Sequence, residues 1–188
     1  MEQKNRKLYP VKYSWVLDNF LRKVVQNPRF ILNTVLRGCF KKGITILDVG
    51  CGNGFFTFAL ADLVGPEGKI IAVDAQQEML DELKKKLQNN DLSKRIELRR
   101  YDSNKINIQK QVDFIFAFYM MHEVVNQKEF LQELREILKP DGKMLIVELI
   151  GRVSQSEFKK IFENCEKAGF KVTGRPTIFL NRTLLLAK

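Results

Sequence analysis

Three acids, Asp48, Asp74 and Asp102, stand at the ends of successive segments that read as short strands. A glycine-rich turn, Gly50-Cys51-Gly52-Asn53-Gly54, follows the first of them. Glycines at that spacing let a backbone turn tightly and come close to a ligand. Exposed N–H groups are expected where the next helix opens. The spacing is G-x-G-x-G. The dinucleotide pattern G-x-G-x-x-G would need a glycine where Phe55 stands, and a P-loop would need Gly-Lys-Ser/Thr after the glycines. A carboxylate at Asp48 would repel a pyrophosphate and suit an ammonium. Asp74 lies where an acid can accept hydrogen bonds from both ribose hydroxyls. A carboxylate at Asp102 can accept from an adenine amino group. Adenosine joined to an ammonium-bearing amino acid, without phosphate, describes S-adenosylmethionine.

The elements that must hold these residues alternate between apolar runs and helix-period segments, the pattern of a parallel sheet with crossover helices. Strands are expected at Ile44–Val49, Lys69–Val73, Arg95–Tyr101, Val112–Phe118 and Lys143–Leu149. The first helix is expected from Gly54 to Val64. The second, Gln76–Leu87, carries Met79, Leu80, Leu83 and Leu87 on one face. Asn126 can cap a third with Phe130, Leu131, Leu134, Ile137 and Leu138 on its apolar side. Lys139-Pro140-Asp141-Gly142 reads as a turn. Ser154-x-x-Glu157 is a capping box that opens a fourth helix, stopped by Gly169. Two β-rich runs, Lys171–Leu180 and Thr183–Ala187, can close the chain as an antiparallel hairpin. Ahead of this body, Ser14–Gln26 and Pro28–Leu36 read as two short helices, the second capped by Asn27.

The motifs Leu-Asp-Val-Gly-Cys-Gly-Asn-Gly (47–54), Ala-Val-Asp (72–74), Asp102, Val-Asp-Phe-Ile-Phe-Ala-Phe (112–118) and Leu-Lys-Pro-Asp-Gly-Lys-Met-Leu-Ile-Val-Glu (138–148) resemble those of class I S-adenosylmethionine-dependent methyltransferases. The branch they most resemble contains the ubiquinone and menaquinone biosynthesis enzymes. The resemblance implies an α/β fold: a Rossmann-like, doubly wound seven-stranded sheet, mostly parallel with an antiparallel last strand, plus the N-terminal helices. It implies that Gly50, Gly52 and Gly54 line the methionine part of the cofactor, with Asp48 near its ammonium. Asp74 would take the ribose and Asp102 the adenine. Ala117 and Phe118 would border the reacting centre. His122, the sole histidine, follows the fourth strand, where it would face the methyl acceptor. It is a candidate base or acceptor contact, with Tyr119 and Glu123 beside it. Tyr13 and Met121 are further candidates for the acceptor pocket. Neither the Asp/Asn-Pro-Pro-aromatic motif of base-amine methyltransferases nor a Pro-Cys pair is present, so nucleic acid is disfavoured as substrate. A small aromatic or apolar acceptor is favoured. An RNA or protein methyltransferase and a catalytically silent cofactor-binding protein are the rival readings.

The 188 residues suit one globular body, and 45% hydrophobic with 29% charged residues excludes disorder and fibrous repeats. No apolar run reaches membrane-span length, and the charged start, Met1–Lys7, carries no secretory h-region. Three widely spaced cysteines give neither a disulfide framework nor a metal site, so a cytoplasmic location is expected. The net charge is +10, and residues 1–42 hold ten Lys/Arg against two acids. That segment is expected to be a helical extension or lid on a cofactor-binding domain spanning 43–188. Monomer and homodimer both remain open.

Overall fold

The structure, a computed structural model, describes residues 27–35, 41–101 and 105–188. Its elements run α1 (Pro28–Val35), β1 (Thr45–Val49), α2 (Thr57–Val64), β2 (Lys69–Asp74), α3 (Gln77–Leu87), β3 (Ile96–Arg100), β4 (Val112–Phe118), α4 (Gln127–Ile137), β5 (Leu138–Leu149), α5 (Gln155–Lys167), β6 (Lys171–Gly174) and β7 (Asn181–Ala187). Seven strands form one sheet in the order β3-β2-β1-β4-β5-β7-β6. The first five are parallel, β7 runs antiparallel to β5, and β6 pairs antiparallel with β7. The Rossmann-like sheet expected from the sequence is therefore present, with its antiparallel last strand. Strand order reverses between β1 and β4, where Val49 pairs with Ala117. At such a switch point the two following loops part and leave a crevice at the carboxyl ends of the strands.

The central strands are mostly apolar because helices cover both faces; the buried exceptions, Asp48 and Glu148, lie near their carboxyl ends. On one face, Phe130, Leu131, Leu134 and Ile137 of α4 and Phe158, Ile161 and Cys165 of α5 are buried with Val49, Ile115 and Ile146. On the other, Leu60, Ala61 and Val64 of α2 and Leu80, Leu83 and Leu87 of α3 pack with Ile46, Phe114 and Phe116. The caps follow the sequence. The Asn126 side chain accepts from the Glu129 amide, and Ser154 and Glu157 form the reciprocal capping box. The Asn27 side chain accepts from the Phe30 amide at 3.2 Å. Helix α1 then buries Ile31 and Leu32 in the α2 cluster, so this part of the N-terminal segment is docked on the main body.

Three boundaries differ from the sequence expectation. Helix α2 begins at Thr57 and not at Gly54, because residues 50–56 are taken up by turns with left-handed glycines. Residues 139–142 are a bulge inside β5 rather than a turn before it. Val112 pairs with Leu138 while Phe114 pairs with Lys143, so β5 spends five residues where β4 spends two. Buried Leu138 keeps the ladder on the near side, and the Lys139 ammonium meets the Asp113 carboxylate 2.5 Å away. The run expected as a strand to Leu180 stops at Gly174, since Pro176 has no N–H for a ladder. Tyr13, the helix expected at Ser14–Gln26 and Asp102 lie outside the described residues. Among those described, no helix is long and apolar enough to cross a membrane.

Candidate functional site

The turn after β1 is built by close approach. Gly50 has φ +70°, and a Cβ there would stand 2.6 Å from the Met120 Cβ. At Gly54, φ is +91° and a Cβ would lie 2.4 Å from the Leu83 Cδ1. The glycines at these two positions thus serve protein neighbours as well as any ligand: they let the post-β4 turn and α3 close on the loop. The amides of Gly50 and Cys51 both donate to the Val73 carbonyl, at 2.8 and 3.1 Å, and Gly54 donates to the Cys51 carbonyl at 3.0 Å. Gly52 donates to the Asp74 carboxylate at 2.8 Å. The expectation of exposed N–H groups is therefore corrected for these four residues. With its donors engaged internally, the turn is not a phosphate cradle.

Beside that turn stand two buried acids on adjacent strands. Asp48 is 3% exposed and accepts the Thr57 hydroxyl at 2.7 Å. Burial pushes its carboxyl up to about 7; the Thr57 bond opposes the rise and the Asp74 charge adds to it. Asp74 accepts from the Gly52 amide through one oxygen and from the Gln76 amide, at 2.9 Å, through the other. Burial raises it too, against the bonds from the Gln76, Gly52 and Ala75 amides. With three amides engaged, the Asp74 carboxylate still has accepting capacity for a further donor. Two desolvated carboxylates with no cation between them among the described residues form a site that gains by taking up positive charge. An ammonium- and diol-bearing ligand fits this donor set, and an anionic one does not. Cys51 lies in the same turn, buried, with its thiol pushed well above the ordinary range by burial and by both acids. That makes it a packing residue rather than a nucleophile.

Asp102 falls outside the described residues, but the chain on both sides of it is anchored. The Tyr101 amide donates to the Asp74 carbonyl at 3.1 Å. The Ile106 and Asn107 amides both donate to the Glu133 carboxylate of α4, at 2.8 Å.

The second half of the crevice follows β4. Ala117 is 1% exposed in the sheet, and the Phe118 ring packs between Phe56 and Tyr119, 4.2 and 4.3 Å between centroids. Tyr119 takes a left-handed backbone, φ +60°, rare for a bulky residue. Its amide donates to the Val147 carbonyl at 2.8 Å and its hydroxyl to the Asn181 side chain at 2.5 Å. Met121, His122 and Glu123 then form a single 3-10 turn. Met121 is wholly buried in the core, so it offers no surface to an acceptor. The His122 amide donates to Glu148 Oε1 at 3.1 Å, and its ring Nδ1 lies 2.8 Å from Glu148 Oε2. Nε2 has no hydrogen-bond partner among the described residues and stands 3.7 Å from Glu123 Oε1. Burial raises the Glu123 carboxyl, opposed by neighbouring His122 and by Arg152, whose guanidinium is 2.9 Å away. At the same end of the sheet Ile150, Phe179 and Leu180 are exposed, and the Ile150 amide donates to the Leu180 carbonyl.

Of the expected residues, the fold gathers Asp48, Asp74 and the glycines at the adjoining ends of β1 and β2 and Tyr119, His122 and Glu123 into the loop after β4. Sequence reasoning missed Thr57, Glu148 and Arg152. A legible signal existed for Glu148, an acid inside the apolar run Met144–Leu149. Thr57 had a weaker one, a lone hydroxyl on the first helix's inward face. Arg152 had none.

The sequence profile of a family described as a methyltransferase domain matches residues 40–175. A demethylmenaquinone methyltransferase of Lactobacillus johnsonii is 34% identical over 134 residues, covering 68% of this chain and 55% of the relative. One from Lactococcus lactis is 33% identical over 107 residues, 56% of this chain and 42% of its own length. The chain thus spans about half the length of the curated relatives it matches. The crystal structure of a SAM-dependent methyltransferase from Aquifex aeolicus superposes with a TM-score of 0.83 at 27% identity, over 95% of this chain and 98% of that one. With a matching profile across most of its length and the sheet order, glycine turn and paired acids in place, the chain belongs to the methyltransferase domain family.

Proposed function

We propose that this chain transfers a methyl group from S-adenosylmethionine to a small aromatic acceptor of the hydroquinone class. The observation that carries the cofactor is the pair of buried carboxylates, Asp48 and Asp74, flanking a glycine turn whose amides are already engaged. Asp48 offers negative charge to the ammonium. Asp74 offers lone pairs to the ribose hydroxyls, Asp102 takes the adenine amino group, and Gly50, Gly52 and Gly54 let the methionine part approach the backbone. The bound cofactor supplies an electrophilic methyl on a sulfonium.

The acceptor class is supported by the relatives' names and by the apolar rim, where Phe179 is 73% and Leu180 54% exposed. In this reading His122 takes a proton from an acceptor hydroxyl, which raises electron density on the ring carbon that attacks the methyl group; the methyl–sulfur electron pair stays on the departing thioether, and the ring carbon then gives up its own proton to restore the aromatic ring. Tyr119 and Glu123 border the acceptor, and residues 1–42, Tyr13 included, roof it over the 43–188 domain. The protein works in the cytoplasm as a monomer or homodimer, with nucleic acid disfavoured as its substrate.

Two measurements test this. S-adenosylmethionine or its demethylated product should raise the melting temperature by linkage, while NAD(H) and ATP should not; equal stabilisation by NAD(H) removes the cofactor assignment. Radiolabelled methyl should pass to a reduced naphthoquinol, and transfer to RNA instead removes the acceptor assignment.

A further inference from the structure

Glu148 is the most deeply buried acid among the described residues, at 0% exposure and one pair from the end of the β5–β7 ladder. Both of its oxygens are turned to one residue. Oε1 receives the His122 backbone amide and Oε2 faces ring Nδ1 at 2.8 Å. A backbone amide only donates and an ionised carboxylate only accepts. The proton between Oε2 and the ring therefore sits on Nδ1, and in the neutral imidazole Nε2 is left with a lone pair. That atom is buried and without a hydrogen-bond partner among the described residues, an arrangement that persists at a cost unless a ligand uses it.

We propose that Glu148 is a positioning residue that locks His122 in the Nδ1–H tautomer, so that Nε2 is the proton acceptor at the methyl-acceptor end of the crevice. The chemical use of that nitrogen rests on the reading under Proposed function; the tautomer does not. In the step it serves, the acceptor O–H bond breaks with its electron pair left on oxygen, and an Nε2–H bond forms. The Glu148 charge offsets the imidazolium until the proton passes to water. Other groups face this ring: Glu123 in the same turn, Arg152 after β5 paired to Glu123, and Glu157 of α5, whose carboxyl feels the His122 charge. Asp74 of β2 acts on Glu123 from across the crevice. Of these, only Glu148 touches the ring within hydrogen-bond distance.

His122 is the only histidine in the chain, so the long-range proton–nitrogen NMR spectrum of untagged, nitrogen-15-labelled protein holds one imidazole. The wild type should show the neutral ring protonated at Nδ1. In Glu148→Gln the side chain has one accepting oxygen for two former donors. The backbone amide cannot reverse, so it takes that oxygen, and the new NH₂ faces Nδ1. The ring should switch to the Nε2–H tautomer. Methyl transfer should lose on the order of 100-fold in kcat, the usual scale of a general base, with the KM for S-adenosylmethionine within about twofold. Glu148→Asp, which retains two accepting oxygens, should keep the Nδ1–H tautomer and recover part of kcat. A wild-type ring protonated at Nε2 overturns the proposal without any variant, so it stands or falls even if Glu148→Gln does not fold. An unchanged tautomer and kcat in folded Glu148→Gln also overturn it. The predicted tautomers with no transfer to a hydroquinone support the positioning and overturn the acceptor assignment alone.

Discussion

Replacing Asp48 with Asn should stabilise the cofactor-free protein at alkaline pH while weakening the cofactor. The Asp48 carboxyl is raised from 3.8 to about 7, mainly by burial. Because the folded state holds this proton more tightly than the unfolded chain, the contribution to stability is full below about pH 4 and is lost as pH rises through about 7. At about 1.36 kcal/mol per pH unit, the ionised group costs the folded state at most ~4 kcal/mol at pH 8. Asn has nearly the same shape, can still accept the Thr57 hydroxyl, and carries no charge at any pH. At pH 5, already above the ordinary value of 3.8, the variant should lead by only about 1.5 kcal/mol. At pH 8 the variant should lead by roughly 2–4 kcal/mol, which for a chain of this size is about 5–15 °C in melting temperature. Asp74, raised in the same direction, leaves a smaller pH slope in the variant. Calorimetric titration should show S-adenosylmethionine binding at least about tenfold weaker, or ~1.4 kcal/mol, since its ammonium loses a carboxylate. A stability difference that is equal at pH 5 and pH 8, or a less stable variant at pH 8, would refute the argument that an uncompensated charge sits at Asp48.

Other substitutions test neighbouring parts of the site. Asp74→Ala should weaken cofactor binding by about 1.5–3 kcal/mol, the scale of hydrogen bonds to a charged group, and titration with an unaltered affinity would remove Asp74 from the ribose site. Thr57→Val removes the hydroxyl that holds Asp48 down; the pH at which cofactor affinity declines on acidification should therefore move up, and an unmoved profile counts against the pairing. Gly50→Ala places a methyl 2.6 Å from the Met120 Cβ at φ +70° and should cost about 1–3 kcal/mol of stability in denaturant unfolding. Deleting residues 1–26 should leave cofactor affinity within about tenfold while turnover collapses; normal turnover would remove the lid.

The fold was legible because the buried strands are short apolar runs separated by helix-period segments, and the period decides the element. Where it misled, a tertiary contact overrode local chemistry. Residues 139–142 have turn composition, yet Leu138 is fully buried and already paired with Val112, so the excursion happens inside a strand. Gly54 looked like the first residue of a helix, but its φ of +91° is left-handed, which no α-helix accommodates. The left-handed φ and the packing against Leu83 together explain why a glycine is needed there.

The site was legible in proportion to how far each residue's role depends on strand position. Asp48 and Asp74 end adjacent parallel strands in register, Asp48 opposite Ala72 and Val49 opposite Val73, so their convergence follows from the strand pattern alone. Glu148 does not belong to that row. It meets His122 because β5 lies beside β4 and because the 3-10 turn after Tyr119 brings the histidine back over β5. Sequence spacing carries no record of such a turn. What it does carry is the anomaly: an acid with aliphatic neighbours on both sides in a central strand needs a partner, since an unpaired buried charge costs several kcal/mol. Arg182 stands opposite Glu148 in the β5–β7 ladder, but its guanidinium donates to the Ile150 and Val153 carbonyls, and the carboxylate faces the histidine. The same reasoning connects the two halves of the crevice. Asp48 and Asp74 are buried acids with no cation paired to them among the described residues, whereas both oxygens of Glu148 face the amide and ring of His122. The first pair favours uptake of a cation, and the second arrangement holds an imidazole ready to become one.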